Sequence, residues 1–462
     1  MRLRSKTYIA LAPAIMVIIG FSQLSLAQNS NSSGQGMQTT QTVQSNSHSS
    51  IPTYDKHLGV ASCASSTCHG STVAFAGSNV LQNEFRTWNE EDPHARAFKT
   101  LLSPESQKIA RKLGLKSADG ATACLGCHSG NSVPIDLRGE SFSLSDGVGC
   151  ETCHGGAGRY IESHTKATHQ DNLSAGLTPL EKPVERAQLC VSCHVGNSSD
   201  RKITHEIMGA GHPRLSFEVN TFSSIQPAHY LADADYELRK GKPNTMQLWA
   251  IGQLVASKQL LANISAFPRA GLFPELAHMN CLACHQTLSR VDWVANPLTQ
   301  VAPGSISFND AHLLSSYQLA HSVTPELSDD LLRKIRGLSN KGALDADSQA
   351  LIDGLEMQLS LVGDHLLENP ISEAQGKQLL AKLVDSGLQA SHQGYGSAEQ
   401  SAMAINSVVL ALNSEQATAF DQIVMQAAID DMFGALANPH DYRAYAFISS
   451  LKGIQSALLN QP

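Results

Sequence analysis

The 462-residue sequence predicts a mainly α-helical fold. In several long segments the apolar residues recur every three or four positions, which is the period of an amphipathic helix. The cysteines form five pairs that are each followed at once by a histidine, and one helical turn brings residues with this spacing onto one face. Aromatic residues make up only 5% of the chain, so a core of this size needs another source of large apolar surfaces.

Helical periodicity divides the chain into two parts. Among the cysteines, residues 103–113 and 246–264 are predicted helices, while glycine and proline interrupt much of the rest. Short loops in the second part indicate antiparallel helical hairpins, which suit a structural or docking module. This second part has no cysteine after residue 303, and its predicted helices are 329–338, 348–367, 373–388 and 420–436.

All ten cysteines lie in motifs that are typical of haem attachment. Four motifs have the C-x-x-C-H spacing of c-type haem, and the first has two extra residues between its cysteines. In such motifs the two thiols bind the porphyrin covalently and the histidine becomes the proximal iron ligand. In chain order, motifs 1 to 5 are Cys63/Cys68/His69, Cys124/Cys127/His128, Cys150/Cys153/His154, Cys190/Cys193/His194 and Cys281/Cys284/His285. The sequence therefore predicts five covalently attached haem c groups.

Disulfides and zinc sites are the alternative interpretations of paired cysteines. Neither requires a histidine directly after every pair, whereas haem attachment does. Haem is therefore favoured, and motif 1 is the least typical of the five. Porphyrin rings would also supply the large apolar surfaces that the aromatic residues do not.

Residues 1–27 have the features of a secretory signal peptide. Arg2, Arg4 and Lys6 precede an apolar run, and small residues at 25–27 form a cleavage site. A membrane anchor is the alternative, but proline, glycine and polar residues interrupt the apolar run, which is short for a spanning helix. We therefore expect an exported, soluble, periplasmic protein without stable membrane insertion.

The mature chain is expected to be acidic. Removal of residues 1–27 takes away three basic residues and no acidic residue, which changes the formal net charge from −8 to −11. This charge argues against nucleic acid and anionic membrane surfaces as partners. It favours a basic redox protein instead.

The mature chain is predicted to have three parts. Residues 28–53 are polar and poor in apolar side chains, so they are expected to form a disordered linker, which includes His48. Residues 54–302 carry the five motifs and form the predicted pentahaem cytochrome domain. Residues 303–462 form the predicted helical domain without haem motifs.

Histidines outside the motifs are candidates for the sixth ligand of each iron. Of the nineteen histidines fourteen lie outside the motifs, and eight of these lie between residue 54 and motif 5. Any one of them could instead be an ordinary surface or core histidine. The candidates that we select are His94, His164, His205, His212, His229 and His312.

Local sequence ranks some of these candidates. His94 follows Pro93 at a predicted helix start, so a rigid turn would present its ring. His164 is preferred to His169, which would lie about 140° away around a helix. Met208 is an alternative ligand, since a thioether also binds haem iron, although packing is the simpler role for it.

Several stretches of the sequence resemble one family of multihaem cytochromes, the family that contains cytochrome c-554. They are Cys63-Ala-Ser-Ser-Thr-Cys68-His69, Trp88 with Asp92-Pro93-His94, Asp146-Gly-Val-Gly-Cys150-Glu-Thr-Cys153-His154-Gly155, and Gly211-His212-Pro213. The resemblance extends over roughly residues 54–310. It implies a mainly α multihaem cytochrome c fold with little regular sheet, followed here by a C-terminal helical segment, and haems in closely packed parallel and perpendicular pairs.

The resemblance also implies a function and two ligands. Members of this family shuttle electrons in the periplasm, and His94 and His164 fall on the family's distal histidines. The chain departs from the tetrahaem carrier in having five motifs, and its helical C-terminus lies outside the resemblance. The fold is shared with larger enzymes that reduce nitrite or oxidise hydroxylamine.

Two functions remain open at this point. In the first, histidines close every iron, and the chain transfers electrons between a quinol-side donor and a terminal reductase in anaerobic respiration. In the second, one haem is open and the chain is an oxidoreductase for a small nitrogen or sulfur compound. The surplus of histidines favours the carrier, and a structural or sensing module that uses haem is the third alternative.

Overall fold

The computed structural model of the chain describes most of its length. The predicted signal peptide at 1–27 and the predicted linker at 28–53, with His48, lie outside the described residues. All described residues fall in one compact unit, Thr53–Pro462. They are residues 56–130, 133–266, 275–285, 295–302, 305–341, 346–389, 394–414 and 420–459.

The described residues are mainly helical. They contain no β-strand, and only the isolated bridges His57–Arg138 and Met279–Phe308 have sheet-like pairing in the part of the chain that the structure describes. None of the described helices is long and apolar enough to cross a membrane. The predicted fold, mainly α with little regular sheet and a C-terminal helical segment, is confirmed.

Short helices and turns build the region that carries the motifs. Its longest helix, α11, has 22 residues and contains the helix predicted at 246–264. The helices of this region are α1 (Glu84–Glu91), α2 (Ala97–Leu101), α3 (Pro104–Lys112), α4 (Thr122–His128), α5 (Cys150–His154), α6 (His169–Ser174), α7 (Pro183–His194), α8 (His205–Ala210), α9 (Val219–Ile225), α10 (Ala234–Lys240), α11 (Thr245–Ala266) and α12 (Cys281–Cys284).

Long helices build the C-terminal region. They are α13 (Ala311–Val323), α14 (Pro325–Ser339), α15 (Ala346–Glu368), α16 (Glu373–Leu388), α17 (Tyr395–Ser414), α18 (Gln422–Gly434) and α19 (Ala444–Leu459). The four helices predicted in this region correspond to α14, α15, α16 and α18. Sequence periodicity did not identify α13, α17 and α19.

Local sequence determines where some of these helices begin. The Ser103 hydroxyl accepts a hydrogen bond from the Ser106 N–H, and Pro104 occupies the first position of α3. At the start of α16, Ser372 and Gln375 form a capping box in which each side chain bonds the other residue's backbone N–H. These caps explain why the predicted starts of both helices agree with the structure.

The main apolar core surrounds α11 and the C-terminal helices. Helix α11 contacts α7, α9, α13, α15 and α17. Its Trp249 and Leu261 are fully buried, as are Leu355 of α15, Ile405 of α17 and Phe447 of α19. The core therefore joins α11 to the C-terminal helices, and the domain boundary predicted near residue 302 stays a prediction.

Apolar clusters in the motif region are smaller. One of them consists of four residues, Leu101, Ala110, Ala118 and Leu125. All ten cysteines are half-buried or exposed, although cysteine is one of the residues that proteins most often bury. The motifs therefore present surface that a large apolar group can cover.

Candidate haem-binding sites

Four motifs lie on helices that end at or just before the motif histidine. Helices α4, α5 and α7 end at His128, His154 and His194, and α12 ends one residue before His285. Because an α-helix has 3.6 residues per turn, the two cysteines and the histidine of each motif share a face. After His154 the chain turns away at Gly155, whose φ of 81° favours glycine.

In motif 1 a hydrogen-bonded turn, and not an α-helix, brings the two cysteines and the histidine close together. The His69 N–H donates to the Cys63 carbonyl at 3.2 Å, and the Gly70 N–H donates to the Ser65 carbonyl at 2.9 Å. A Cβ atom at position 70 would lie 2.0 Å from the Ala64 carbonyl oxygen, so the turn requires glycine there. The turn accommodates the two extra residues of the motif.

Thiols of different motifs lie next to each other. The thiol of Cys63 in motif 1 interacts with that of Cys150 in motif 3, and the thiol of Cys127 in motif 2 interacts with that of Cys193 in motif 4. The ten cysteines, which all lie within the described ranges, form no disulfide. In the same ranges no group of three or more histidine, cysteine, aspartate or glutamate residues is placed to hold a metal ion. Motif 1 thus adjoins motif 3, and motif 2 adjoins motif 4.

Four of the five motif histidines face a second histidine. Two imidazoles that bind one iron from opposite sides place their ring centres about 6 Å apart, because a metal–nitrogen bond is about 2 Å long and the nitrogen lies about 1 Å from its ring centre. Each of the four separations therefore fits one iron between two rings. The pairs are His69/His164 at 6.1 Å, His94/His194 at 6.0 Å, His154/His229 at 6.3 Å and His205/His285 at 6.1 Å.

The remaining motif histidine, His128 of motif 2, interacts with His212. Burial lowers the pKa of His212, and the nearby His128 adds to this effect. Burial also lowers the pKa of His154 and of His194 to about 4. These imidazoles are therefore neutral near pH 7, which is the form that binds a metal.

Hydrogen bonds orient several of these rings in the same way. The bonded nitrogen is Nδ1 in each case, which leaves Nε2 for a metal. The bonds join His69 to Glu84 (3.0 Å), His94 to Asp92 (2.8 Å), and His128, His164 and His212 to the carbonyl oxygens of Ala97 (2.9 Å), Ile161 (2.7 Å) and Pro213 (2.8 Å). The rings are thus fixed by the protein in an orientation that suits ligation.

Asp92 is an ionised carboxylate beside His94. Burial raises the pKa of Asp92, but hydrogen bonds from His94 and Gln226 outweigh burial and hold this pKa at about 2. The hydrogen bond with Asp92 in turn raises the pKa of His94 above its ordinary value. The ring of His94 is therefore held by a full negative charge.

Comparison with known families now identifies part of the chain. Residues 62–155, which contain motifs 1 to 3 and His94, match the family model described as cytochrome c554 and c-prime. This segment is similar to c-type cytochromes of the c554 family. The predicted resemblance is therefore confirmed over residues 62–155, and this match supports covalently bound haem c and a part in electron transfer. Comparisons with curated proteins and with solved structures gave no significant match.

Two histidines that the sequence analysis weighed as ligands, His169 and His312, have no interaction with a motif histidine like those described above. His169 bonds Glu181 at 2.9 Å through Nε2, the nitrogen that the paired histidines keep for a metal. His312 bonds Gln253 at 3.1 Å through Nδ1. It also lines a partly open cleft with His194, Met208 and Cys281. The structure thus brings the other ten predicted ligand histidines together in pairs, and His312 belongs to none of these pairs.

Sequence reasoning did not identify Glu84 as a partner of a motif histidine. Glu84 lies fifteen residues after His69, so no local pattern connects them. For Asp92 the sequence did contain a signal of its position, because an aspartate that precedes a proline at a helix start is a typical N-cap. The Asp92 carboxylate indeed accepts the His94 backbone N–H at 2.9 Å.

Proposed function

We propose that this cytochrome is a periplasmic electron carrier with five haems, each of whose irons is closed by two histidines. The observation that carries the proposal is the separation of about 6 Å between four motif histidines and a second histidine, which matches two axial ligands of one iron. Bound haem supplies one-electron redox chemistry. A closed iron offers no position for a substrate, so this arrangement favours a carrier over an oxidoreductase.

The proposal assigns one distal histidine to each motif. The rings that face the motif histidines support four assignments, and the interaction between His128 and His212 supports the fifth. His312 then has no part in ligation. The assignments are His164 for motif 1, His212 for motif 2, His229 for motif 3, His94 for motif 4 and His205 for motif 5.

Contacts between motifs suggest a route for the electrons. The thiol contacts place motif 1 beside motif 3 and motif 2 beside motif 4. Cys153 of motif 3 also interacts electrostatically with Cys190 and Cys193 of motif 4. We therefore infer the spatial order 1–3–4–2, and the cleft shared by His194 and Cys281 puts motif 5 beside motif 4. Neighbouring haems in this order would be close enough to exchange electrons.

The proposed partners follow from the charge and the predicted export. A chain with a formal net charge of −8 before loss of residues 1–27 attracts basic proteins at low ionic strength. We propose a quinol-side donor and a terminal reductase or other acceptor as its partners. The helices after residue 303 would serve as a structural or docking module.

The assignment of His164 is tested by substitution to alanine. Oxidised His164→Ala should keep five haems by intact mass and show one high-spin iron by low-temperature EPR, because one axial ligand is lost. His169→Ala is the matched control and should leave the EPR spectrum unchanged. A high-spin signal in the unmodified protein would instead favour an oxidoreductase, and a folded His164→Ala variant without a new signal would refute the assignment.

A further inference from the structure

The nitrogen Nδ1 of the proposed ligands has two kinds of partner. In His128, His164 and His212 it donates to a backbone carbonyl oxygen. In His69 and His94 it donates to a carboxylate, at 3.0 Å from Glu84 and at 2.8 Å from Asp92. The sites of motif 1 and motif 4 therefore differ from that of motif 2, where both assigned histidines bond carbonyl groups.

Other contacts fix both carboxylates in place. One oxygen of Glu84 accepts the N–H groups of Leu81 at 2.7 Å and Gln82 at 3.0 Å, which leaves the other oxygen for His69. Asp92 is only 2% exposed. Its second oxygen accepts the Gln226 side-chain amide at 2.9 Å. Neither carboxylate can turn away from its imidazole without losing these bonds.

We propose that Glu84 and Asp92 are positioning residues that lower the reduction potentials of the haems at motif 1 and motif 4. The proposal rests on the pairing of histidines described above. A carboxylate that accepts the Nδ1 proton makes the imidazole a stronger base at Nε2. A more basic ligand stabilises ferric iron relative to ferrous iron, and the nearby negative charge acts in the same direction.

The two carboxylates act from opposite sides of their haems. Glu84 bonds the motif histidine His69, whereas Asp92 bonds His94, which faces the motif histidine His194. A backbone carbonyl carries no net charge and polarises Nδ1 less. The haem at motif 2 therefore keeps a higher potential than those at motifs 1 and 4, and it retains electrons when the other two are oxidised.

The test uses the holoprotein with Glu84→Gln and Asp92→Asn, which preserve size and most hydrogen bonds. Spectroelectrochemical titration should show one of the five midpoint potentials shifted to a more positive value in each variant, and shifts in two in the double variant. The haem count should stay at five, every iron should stay low-spin, and the EPR g values of one haem should change. A purely structural role would not shift one potential to a more positive value while the haem count and every spin state stay unchanged.

Glu181→Gln is the matched control. Its carboxylate also bonds a histidine, His169, at 2.9 Å, but this histidine belongs to none of the pairs. The potentials should therefore stay unchanged although one negative charge is lost. If Asp92→Asn loses haem, its potentials cannot be compared with those of the unmodified protein, and the potentials of Glu84→Gln then decide whether the proposal holds.

The possible failures are distinguishable. Unchanged potentials in low-spin, five-haem Glu84→Gln would overturn the role of the carboxylates and leave the pairing intact. If Glu181→Gln shifted the midpoint potentials as much as Glu84→Gln does, loss of any nearby negative charge would explain the effect. This result would also overturn the positioning role of the carboxylates. Failure of the pairing itself would appear in His164→Ala, as an EPR spectrum without a new high-spin signal.

Discussion

Residues 56–285 and residues 305–459 are both helical, but they are stabilised in different ways. The C-terminal helices share the main apolar core with α11, where Leu331 and Leu359 are fully buried. The motif region has short helices, small apolar clusters and cysteines that are half-buried or exposed. We infer that covalent haem supplies the apolar surface of the motif region, whereas the C-terminal region makes its core from its own side chains.

A cavity in the C-terminal core should have the largest effect on stability. Leu355 of α15 is fully buried, so Leu355→Ala should lower the free energy of unfolding by about 2–5 kcal/mol. The haem count and the visible absorption spectrum should stay unchanged, because the substitution lies away from the motifs. Urea unfolding followed by far-UV circular dichroism and by haem absorption would measure both effects.

The control lies on the same helix. Met357 is 60% exposed, so Met357→Ala should change the free energy of unfolding by less than about 0.5 kcal/mol. Loss of the native haem spectrum in Leu355→Ala, without loss in Met357→Ala, would show that the two regions are not stabilised separately.

Glu218 connects the two regions and should have an intermediate effect. It caps α9 by accepting the N–H groups of Asn220 and Thr221, each at 2.7 Å, and it accepts the Ser407 hydroxyl of α17 at 2.9 Å. Glu218→Ala leaves these donors without a partner, so it should lower the free energy of unfolding by about 1–3 kcal/mol. Coincident urea unfolding of both regions in the unmodified protein, and separate transitions in the variant, would support this connecting role.

The pH dependence of stability gives a second measure of Glu218. Burial raises the pKa of its carboxyl group above the ordinary value. The carboxyl group of Glu218 therefore binds a proton more readily in the folded chain than in the unfolded chain. Its contribution to stability falls as the pH rises from the pKa of the unfolded state through the higher pKa of the folded state. Glu218→Gln should remove this decrease, as measured by urea unfolding across a pH series. An identical pH profile in the variant and the unmodified protein would contradict the expectation.

Helix caps should give the smallest effects. Ser372→Ala removes the capping box of α16 and should lower the free energy of unfolding by about 1 kcal/mol. Thr168→Ala removes the same kind of box from α6, a helix of six residues in the motif region. Because haem attachment would dominate stability there, we expect a loss in amide hydrogen-exchange protection near α6 without a change in global stability. A global loss equal to that of Ser372→Ala would argue against the difference between the regions.

Local features of this chain could be predicted from its sequence. The five motifs depend on spacing within one turn, and four of them indeed end on short helices. Apolar periodicity predicted α3, α11, α14, α15, α16 and α18. By contrast, α13 and α17 went unpredicted, because helices buried on several sides lack the alternation of polar and apolar faces on which periodicity depends.

The choice of His164 over His169 also rested on local features. It stays a prediction, which the contact between the His164 and His69 rings supports, whereas His169 bonds Glu181 through Nε2. His312 was selected from its position at the start of the helical region. In the structure its Nδ1 bonds Gln253, and it belongs to none of the ring pairs.

The arrangement of histidines in space was decided by the tertiary structure. His94 lies before motif 2 in the chain but faces His194 of motif 4, and His205 follows motif 4 but faces His285 of motif 5. The carboxylate of Glu84 reaches His69 only because the chain folds back between them. Covalent attachment is a local property that a few adjacent residues encode, so the sequence by itself determines it. Ring pairing joins residues that are far apart in the chain, so it depends on how all the helices pack.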